Sequence, residues 1–153
     1  MAEFQLNLLN LDIHTLGIPD IEYPTSIKMS STKFVSLCRD FTQLSDTLKI
    51  EVKEQKATFS INGKAGVEKI VMKNNNAEKV EDQITIVSDG EVSLSFGLQY
   101  LNSFAKASSL SGIVTLNISS KFFSLMMIEY EMQDIGFIKF YLAPKMDEDN
   151  VEQ

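Results

Sequence analysis

The sequence has no tryptophan, one histidine and one cysteine among 153 residues. With Cys38 as the only thiol, neither an intramolecular disulfide nor a cysteine-rich zinc site can form, which fits a reducing compartment. No apolar run approaches the ~20 residues that a membrane-spanning helix needs. Residues 1–5 have neither the basic nor the apolar region of a secretory signal. These absences argue against a disulfide scaffold, a membrane span and a secreted protein.

Positive charge is also scarce. The chain has 14 Lys and Arg against 21 Asp and Glu, which gives a net charge of -7. A conventional nucleic-acid binder carries a basic surface, so the bulk charge argues against that class. It leaves open a protein whose few cations are concentrated on one face. The length predicts a single domain, which buries roughly 70% of its unfolded surface.

Signatures of catalysis are missing. The sequence contains no Gly-x-Gly-x-x-Gly, no P-loop and no Gly-x-Ser-x-Gly. His14 lies in an aperiodic stretch without a nucleophile motif, and the nearby Asp12, Asp20 and Glu22 are predicted to be solvated rather than bound to a metal. Cys38 is predicted to be a small buried hydrophobe. We therefore predict no catalytic residue, no metal and no cofactor, and hence no enzyme.

The dominant pattern is the alternation of apolar and polar residues that is typical of strands. It occurs in five runs, at residues 48–52, 57–61, 92–96, 114–118 and 126–132. Turn or breaker signals lie between the runs, at Gln55-Lys56, Asn62-Gly63, Asp89-Gly90 and Ile135-Gly136. Strands with one apolar face predict antiparallel sheets that are covered on one side.

Two segments have the helical period instead. The first, Thr32 to Leu44, places its apolar residues on one face: Phe34, Leu37, Cys38, Phe41 and Leu44. Ser30, Ser31 or Thr32 can supply its N-cap. The second, Leu98 to Ala107, is expected to turn the following residues inward: Leu98, Tyr100, Leu101, Phe104 and Ala105. The predicted class is α+β, with two short helices packed on one face of antiparallel sheets.

Each predicted helix has a polar face that carries one cation and no carboxylate. Thr32, Ser36, Arg39 and Gln43 form the first face, and Gln99, Asn102 and Lys106 form the second. Two interpretations remain open from the residues alone. The faces are either ordinary solvated surface or a surface that slides past phosphate groups.

Several motifs in a fixed order carry a family resemblance. They are Leu16-Gly17-Ile18-Pro19, Tyr23, Lys28-Met29, Cys38-Arg39-Asp40, Tyr100-Leu101-Asn102 with Phe104 and Lys106-Ala107, Leu110-Ser111, Glu129-Tyr130, Gly136, and Lys139-Phe140-Tyr141-Leu142-Ala143-Pro144-Lys145 before an acidic tail. In order and spacing the chain resembles proliferating cell nuclear antigen, the eukaryotic DNA sliding clamp, along nearly its whole length.

The resemblance implies a DNA-clamp fold with antiparallel sheets outside and helices inside, in which three two-domain subunits close into a ring around duplex DNA. The implied DNA-facing residues are Arg39, Gln43, Gln99 and Lys106. Gln99 stands where an arginine or lysine is usual, so the positive field there is weaker. A ring that holds DNA by encircling it needs only weak phosphate contacts, since tight ones would slow sliding.

The resemblance also implies a hydrophobic pocket that binds a short partner motif, glutamine-x-x-aliphatic-x-x-aromatic-aromatic. Polymerases, the clamp loader, ligase and flap nuclease carry this motif. The matching positions are Leu16, Gly17, Ile18, Leu125, Tyr141, Leu142, Ala143 and Pro144. Leu125 stands where a proline is usual. Without the resemblance, Tyr141 and Leu142 would be interpreted as strand core.

By the same resemblance, residues 1–23 are expected to be the last strand of an absent N-terminal domain followed by the interdomain connector. Residues 24–145 are expected to form the C-terminal clamp domain, and 146–153 an acidic disordered tail. The implied subunit contact pairs Phe4 and Leu6 with Val67, Lys69 and Val71 of a neighbouring subunit. The resemblance further implies a nuclear homotrimer that acts in DNA replication and repair. The alternative is a truncated clamp fragment that binds peptides without forming a ring.

Overall fold

The structure is a computed structural model, and it describes residues 5, 9, 17–121 and 123–146. Within them the strands are β1 Thr25–Ser30, β2 Thr47–Lys53, β3 Lys56–Gly63, β4 Gly66–Lys73, β5 Thr85–Ser88, β6 Val92–Gly97, β7 Ile113–Ser119, β8 Leu125–Met132 and β9 Gly136–Leu142. The helices are α1 Ser31–Thr42 and α2 Leu98–Ala105, with short 3-10 helices at Val80–Asp82 and Lys106–Ser109. The predicted α+β class is confirmed.

The two antiparallel sheets are built from two β-α-β-β-β units, β1-α1-β2-β3-β4 and β6-α2-β7-β8-β9, that exchange their first strands. Strand β5 belongs to neither unit and pairs with β1. The five-stranded sheet has the order β5-β1-β7-β8-β9, and the four-stranded sheet has the order β4-β3-β2-β6. Thus β1 leads into α1 but pairs with β7, while β6 leads into α2 but pairs with β2. The exchange ties both units into one hydrophobic core.

The alternating runs form strands as predicted. In β2, for example, Leu48, Ile50 and Val52 are buried while Lys49 and Lys53 are exposed. A strand that pairs on both sides and faces a core on one side buries every second side chain, which is the period that the sequence shows. The tight turn at Glu54 and Gln55, both with positive φ, closes the β2–β3 hairpin.

Helix α1 begins at its predicted cap and ends earlier than predicted. The Ser30 side chain accepts a hydrogen bond from the Lys33 amide at 3.2 Å. The helix ends at Thr42, so Leu44 lies in a turn and is exposed, against the prediction. The Leu44 carbonyl comes so close to Gly63 that an added Cβ there would lie 2.9 Å from it. This close approach of two backbones requires glycine at the end of β3.

Helix α2 corrects a second prediction. Leu98, Leu101 and Ala105 are buried as expected, and Phe104 packs against the core. Tyr100 is exposed instead, because it lies two residues from Leu98 and therefore on the far side of the helix. Its ring contacts the backbone at Gly97, where an added Cβ would lie 3.0 Å from Tyr100 Cδ2. The helix also becomes 3-10 after Ala105, before its predicted end.

The helices run antiparallel to each other. The first residue of α1, Ser31, donates its backbone amide to the Gly112 carbonyl at 3.0 Å and its hydroxyl to the Ser111 carbonyl at 2.6 Å, both just after α2. At the other end, the Leu98 amide donates to the Asp46 carbonyl at 2.9 Å. No helix within 17–121 or 123–146 is long and apolar enough to cross a membrane.

Candidate functional site

The antiparallel helices bring part of the predicted DNA-facing set together. Gln43 at the end of α1 and Gln99 at the start of α2 line one cleft of about 420 Å³. Arg39 and Lys106 are also exposed, as predicted. The Arg39 Nε atom lies 3.2 Å from Asp40 Oδ1, so its charge is partly compensated by its own neighbour. The polar faces are therefore solvent-facing and only weakly positive.

Lys145 adds a cation that the sequence reasoning did not place in this region. Its Nζ atom lies 2.6 Å from Thr47 Oγ1 and 3.7 Å from Asp46 Oδ1, and its backbone amide donates to the Ser95 carbonyl at 2.7 Å. The Thr47 hydroxyl, and then the Lys145 charge, lower the pKa of Asp46. These contacts hold the segment that follows β9 against the end of the four-stranded sheet.

The residues of the predicted peptide pocket differ widely in exposure. Gly17, Ile18 and Ala143 are exposed, Tyr141 and Pro144 are partly buried, and Leu142 packs against the core. Leu125 is buried and pairs with Ser119. Leu16 and His14 lie outside the described residues. Leu142 and Leu125 are therefore packed inside the domain, while Ile18 and part of Tyr141 are accessible to solvent.

One end of the five-stranded sheet is covered on its outer face. Leu125 and Met127 point away from the core, yet they are only 5% and 7% exposed. Met127 is directly opposite Tyr141 in the β8–β9 ladder. Burial, and then the nearby Tyr141, raise the pKa of Tyr23. The outer face of this end of the sheet is therefore largely shielded from solvent.

Tyr23, which belongs to one of the family motifs, has an unusual environment. Its hydroxyl is buried and has no hydrogen-bond partner within the described part of the chain. Such groups are uncommon, because leaving a buried hydroxyl unpaired costs about 1–3 kcal/mol.

The predicted interface residues lie on a sheet edge. β4 pairs with β3, and within the described residues no strand pairs with its other side. Val67, Lys69 and Val71 are exposed on the outer face of this strand. On the inner face, Ile70 and Met72 line a groove of about 540 Å³ together with Leu37 of α1. Phe4 and Leu6 lie outside the described residues.

Cys38 is fully buried on the apolar face of α1, and burial raises the pKa of its thiol to about 12. Since the thiolate is the reactive form, this cysteine is inert in the folded chain. Within 17–121 and 123–146, no three His, Cys, Asp or Glu side chains come together as a possible metal site.

Comparison with protein families agrees with the architecture. The family model of the C-terminal domain of proliferating cell nuclear antigen matches residues 17–145. The match includes both helices, both sheets and the segment from residue 17 to β1. Sliding clamps of this family are non-enzymatic processivity factors. The chain belongs to the proliferating cell nuclear antigen family, through its C-terminal domain.

Proposed function

We propose that the chain acts as a sliding-clamp processivity factor that encircles duplex DNA and recruits polymerases and repair enzymes in the nucleus. The observation that carries the proposal is the layer of two antiparallel helices, with Arg39, Gln43, Gln99 and Lys106 exposed and both sheets behind them. A polar, weakly cationic layer can follow DNA without holding it at one position. Phosphate contacts determine affinity and its salt dependence, so few of them permit sliding.

The net charge of -7 supports a topological rather than an electrostatic hold on DNA. A protein that bound DNA through its bulk charge would need an excess of lysine and arginine. With a clamp loader and ATP, we expect the chain assembled as a ring to stay on nicked circular DNA in high salt and to be lost when the circle is linearised. Pull-down of the DNA measures retention. Equal retention on both DNA forms would contradict encirclement.

Recruitment is proposed to use the surface formed by Ile18, Tyr23 and Tyr141. It combines the exposed Ile18 with the partly exposed ring of Tyr141, and a few aromatic and aliphatic anchors dominate many interfaces. Polymerases, the clamp loader, ligase and flap nuclease are the proposed partners, through the motif given above. Because this surface is formed within the chain itself, the second candidate function is a peptide-binding module that does not form a ring.

Assembly is proposed to use the free edge of β4 and the groove beside it. Unpaired strand edges are ready templates for another strand, and the groove offers apolar contacts at Leu37, Ile70 and Met72. The proposed partner of this edge is residues 3–9 of a neighbouring subunit. Repeated three times, this pairing would close a homotrimeric ring. The edge and the groove together explain why β4 departs from the burial pattern of the other strands.

Ile70→Lys is expected to weaken self-association at least about tenfold, because the charged head would have to be desolvated in the groove. Light scattering behind size-exclusion chromatography over a concentration series measures the effect. Val87→Lys is the matched control, since Val87 is 58% exposed on β5 and Ile70 is 40% exposed on β4. Equal weakening by both variants would contradict the β4 interface. A wild-type chain that stays monomeric at every concentration would favour the module without a ring.

A further inference from the structure

The segment that follows β4 fastens the end of this strand to the other sheet. The Asn75 amide donates to the Ile84 carbonyl at 3.0 Å, and the Ile84 amide donates to the Asn75 carbonyl at 3.4 Å. Ile84 directly precedes β5, so this antiparallel bridge extends the end of β4 onto the edge of the five-stranded sheet. The stretch that begins as β4 is therefore tied to both sheets.

The Asn74 side chain continues this contact along β5. Its Nδ2 atom donates to the Ile86 carbonyl at 3.1 Å, and its Oδ1 atom accepts a hydrogen bond from the Ile86 amide. Residues that form a hydrogen-bonded pair in an antiparallel ladder exchange the same two bonds between their backbones. Because Asn75 is opposite Ile84, the next such pair of an unbroken ladder would use Lys73. Lys73 is instead held in the four-stranded sheet, and the Asn74 amide takes its place.

These contacts close the edge of β5, whereas the edge of β4 is open. Gln55, in the turn between β2 and β3, adds a further contact, since its Nε2 atom donates to the Ser88 carbonyl at 3.0 Å. The unpaired backbone groups of an edge strand are the groups that another chain would use. On β5, side chains of the same chain already bind them at Ile86 and Ser88. No such contact covers the free side of β4 in the part of the chain that the structure describes.

The same contacts border the groove beside β4. Asn74, Asn75 and Ile84 line this groove together with the apolar residues of β4 and α1 named above. Asn74 directly follows β4, so its position determines where the last residues of the strand run relative to α1. The Asn74 side chain is exposed and contributes no core contact. At this residue the groove is therefore held by hydrogen bonds to β5 rather than by packing.

We propose that Asn74 is a positioning residue for the assembly surface. It holds the end of β4 against β5 and so keeps the groove in the shape that the strand of a second copy of this chain requires. Because the same residue closes β5, strand addition is directed to β4 rather than to β5. Asn74 acts through the backbone of Ile86, and it needs no contact with the partner. This inference rests on the proposed assembly through β4.

Asn74→Ala is expected to weaken self-association at least about fivefold, since the loss of two hydrogen bonds that order the surface changes an equilibrium by about that factor or more. Sedimentation equilibrium over a concentration series measures the association. The Ile86 amide should exchange with solvent deuterium at least about fivefold faster, on the same reasoning. Asn74→Asp has the same size but cannot donate to the Ile86 carbonyl, so it should have the same effects. It serves if Asn74→Ala fails to fold.

The matched control is Gln83→Ala. The Gln83 Nε2 atom donates to the Ala77 carbonyl at 2.9 Å in the same loop, and Gln83 does not line the groove, so its loss should leave self-association unchanged. The positioning role is overturned if Asn74→Ala associates as the wild type does, if its Ile86 amide exchanges no faster, or if Gln83→Ala weakens association equally. A wild-type chain that stays monomeric at every concentration would instead contradict the proposed assembly itself, and this inference with it.

Discussion

Ile18→Glu is expected to weaken binding of a Gln-x-x-Leu-x-x-Phe-Phe peptide at least about tenfold, because truncation or replacement of an interface anchor costs about 2 kcal/mol or more. Ile18 is 77% exposed, so in the free chain the substitution removes no core contact. In the complex, the carboxylate would lie against the aromatic residues of the peptide and lose its hydration. The thermal midpoint of the chain should therefore stay the same while the affinity falls. Fluorescence anisotropy of a labelled peptide gives the affinity, and differential scanning calorimetry gives the midpoint.

The matched control for this variant is Ile135→Glu. Ile135 is 83% exposed in the turn between β8 and β9, so the two substitutions are chemically identical and equally accessible. Ile135→Glu should bind the peptide as the wild type does. If both variants lose affinity alike, the effect is one of overall charge, and the connector surface is not the peptide site. If neither does, the peptide binds elsewhere or not at all.

Tyr130→Ala is expected to destabilise the chain by about 3–5 kcal/mol, the range for removal of a buried aromatic side chain. Tyr130 is fully buried on the inner face of β8. Its ring meets Phe140 edge-on at 6.3 Å, and Phe140 in turn stacks on Phe104 of α2 at 4.7 Å. The substitution therefore removes one of the contacts that join the five-stranded sheet to the second helix, and leaves the Phe104–Phe140 stack without its edge-on neighbour. Urea denaturation followed by circular dichroism measures the loss.

Two further substitutions separate the parts of this effect. Tyr130→Phe keeps the ring but removes the hydroxyl, which donates to the Phe104 carbonyl at 3.1 Å, and should cost about 1–2 kcal/mol. Tyr100→Ala removes an exposed aromatic side chain from the same helix and should change stability by about 0.5 kcal/mol or less. A Tyr130→Ala chain as stable as the Tyr100→Ala chain would contradict the role given to this contact.

Most of the fold follows from local periodicity. The alternating runs predict β2, β3, β6, β7 and β8, since each buries one face in the core, although the first residues of β8 are buried on both faces. β4 shows no such alternation, because an edge strand at an open groove leaves both faces accessible. Tyr100 was predicted to point inward on hydrophobicity, but its position on α2 puts it outside. The alternation of apolar and polar residues therefore predicts strands that face the core. It does not predict an edge strand such as β4, whose two faces are both accessible.

The candidate site depends more on tertiary contacts. Ile18 and Tyr141 are assigned from the family resemblance, and the structure adds that Ile18 is exposed while Tyr141 is partly buried in β9. Gln43 and Gln99 line one cleft because the two helices run antiparallel. The local sequence around either residue does not reveal this. Side chains far apart in sequence form both surfaces, and no local pattern specifies how they meet.

The exchange of first strands between the two β-α-β-β-β units has a mechanical consequence. Pulling one unit away from the other would have to break the β1–β7 and β2–β6 ladders at the same time, each along its full length. The free side of β4 carries no ladder within the described chain, so a contact made there by another chain can part without breaking either unit. A ring made from such domains would open at the joints between its subunits while each domain stayed rigid.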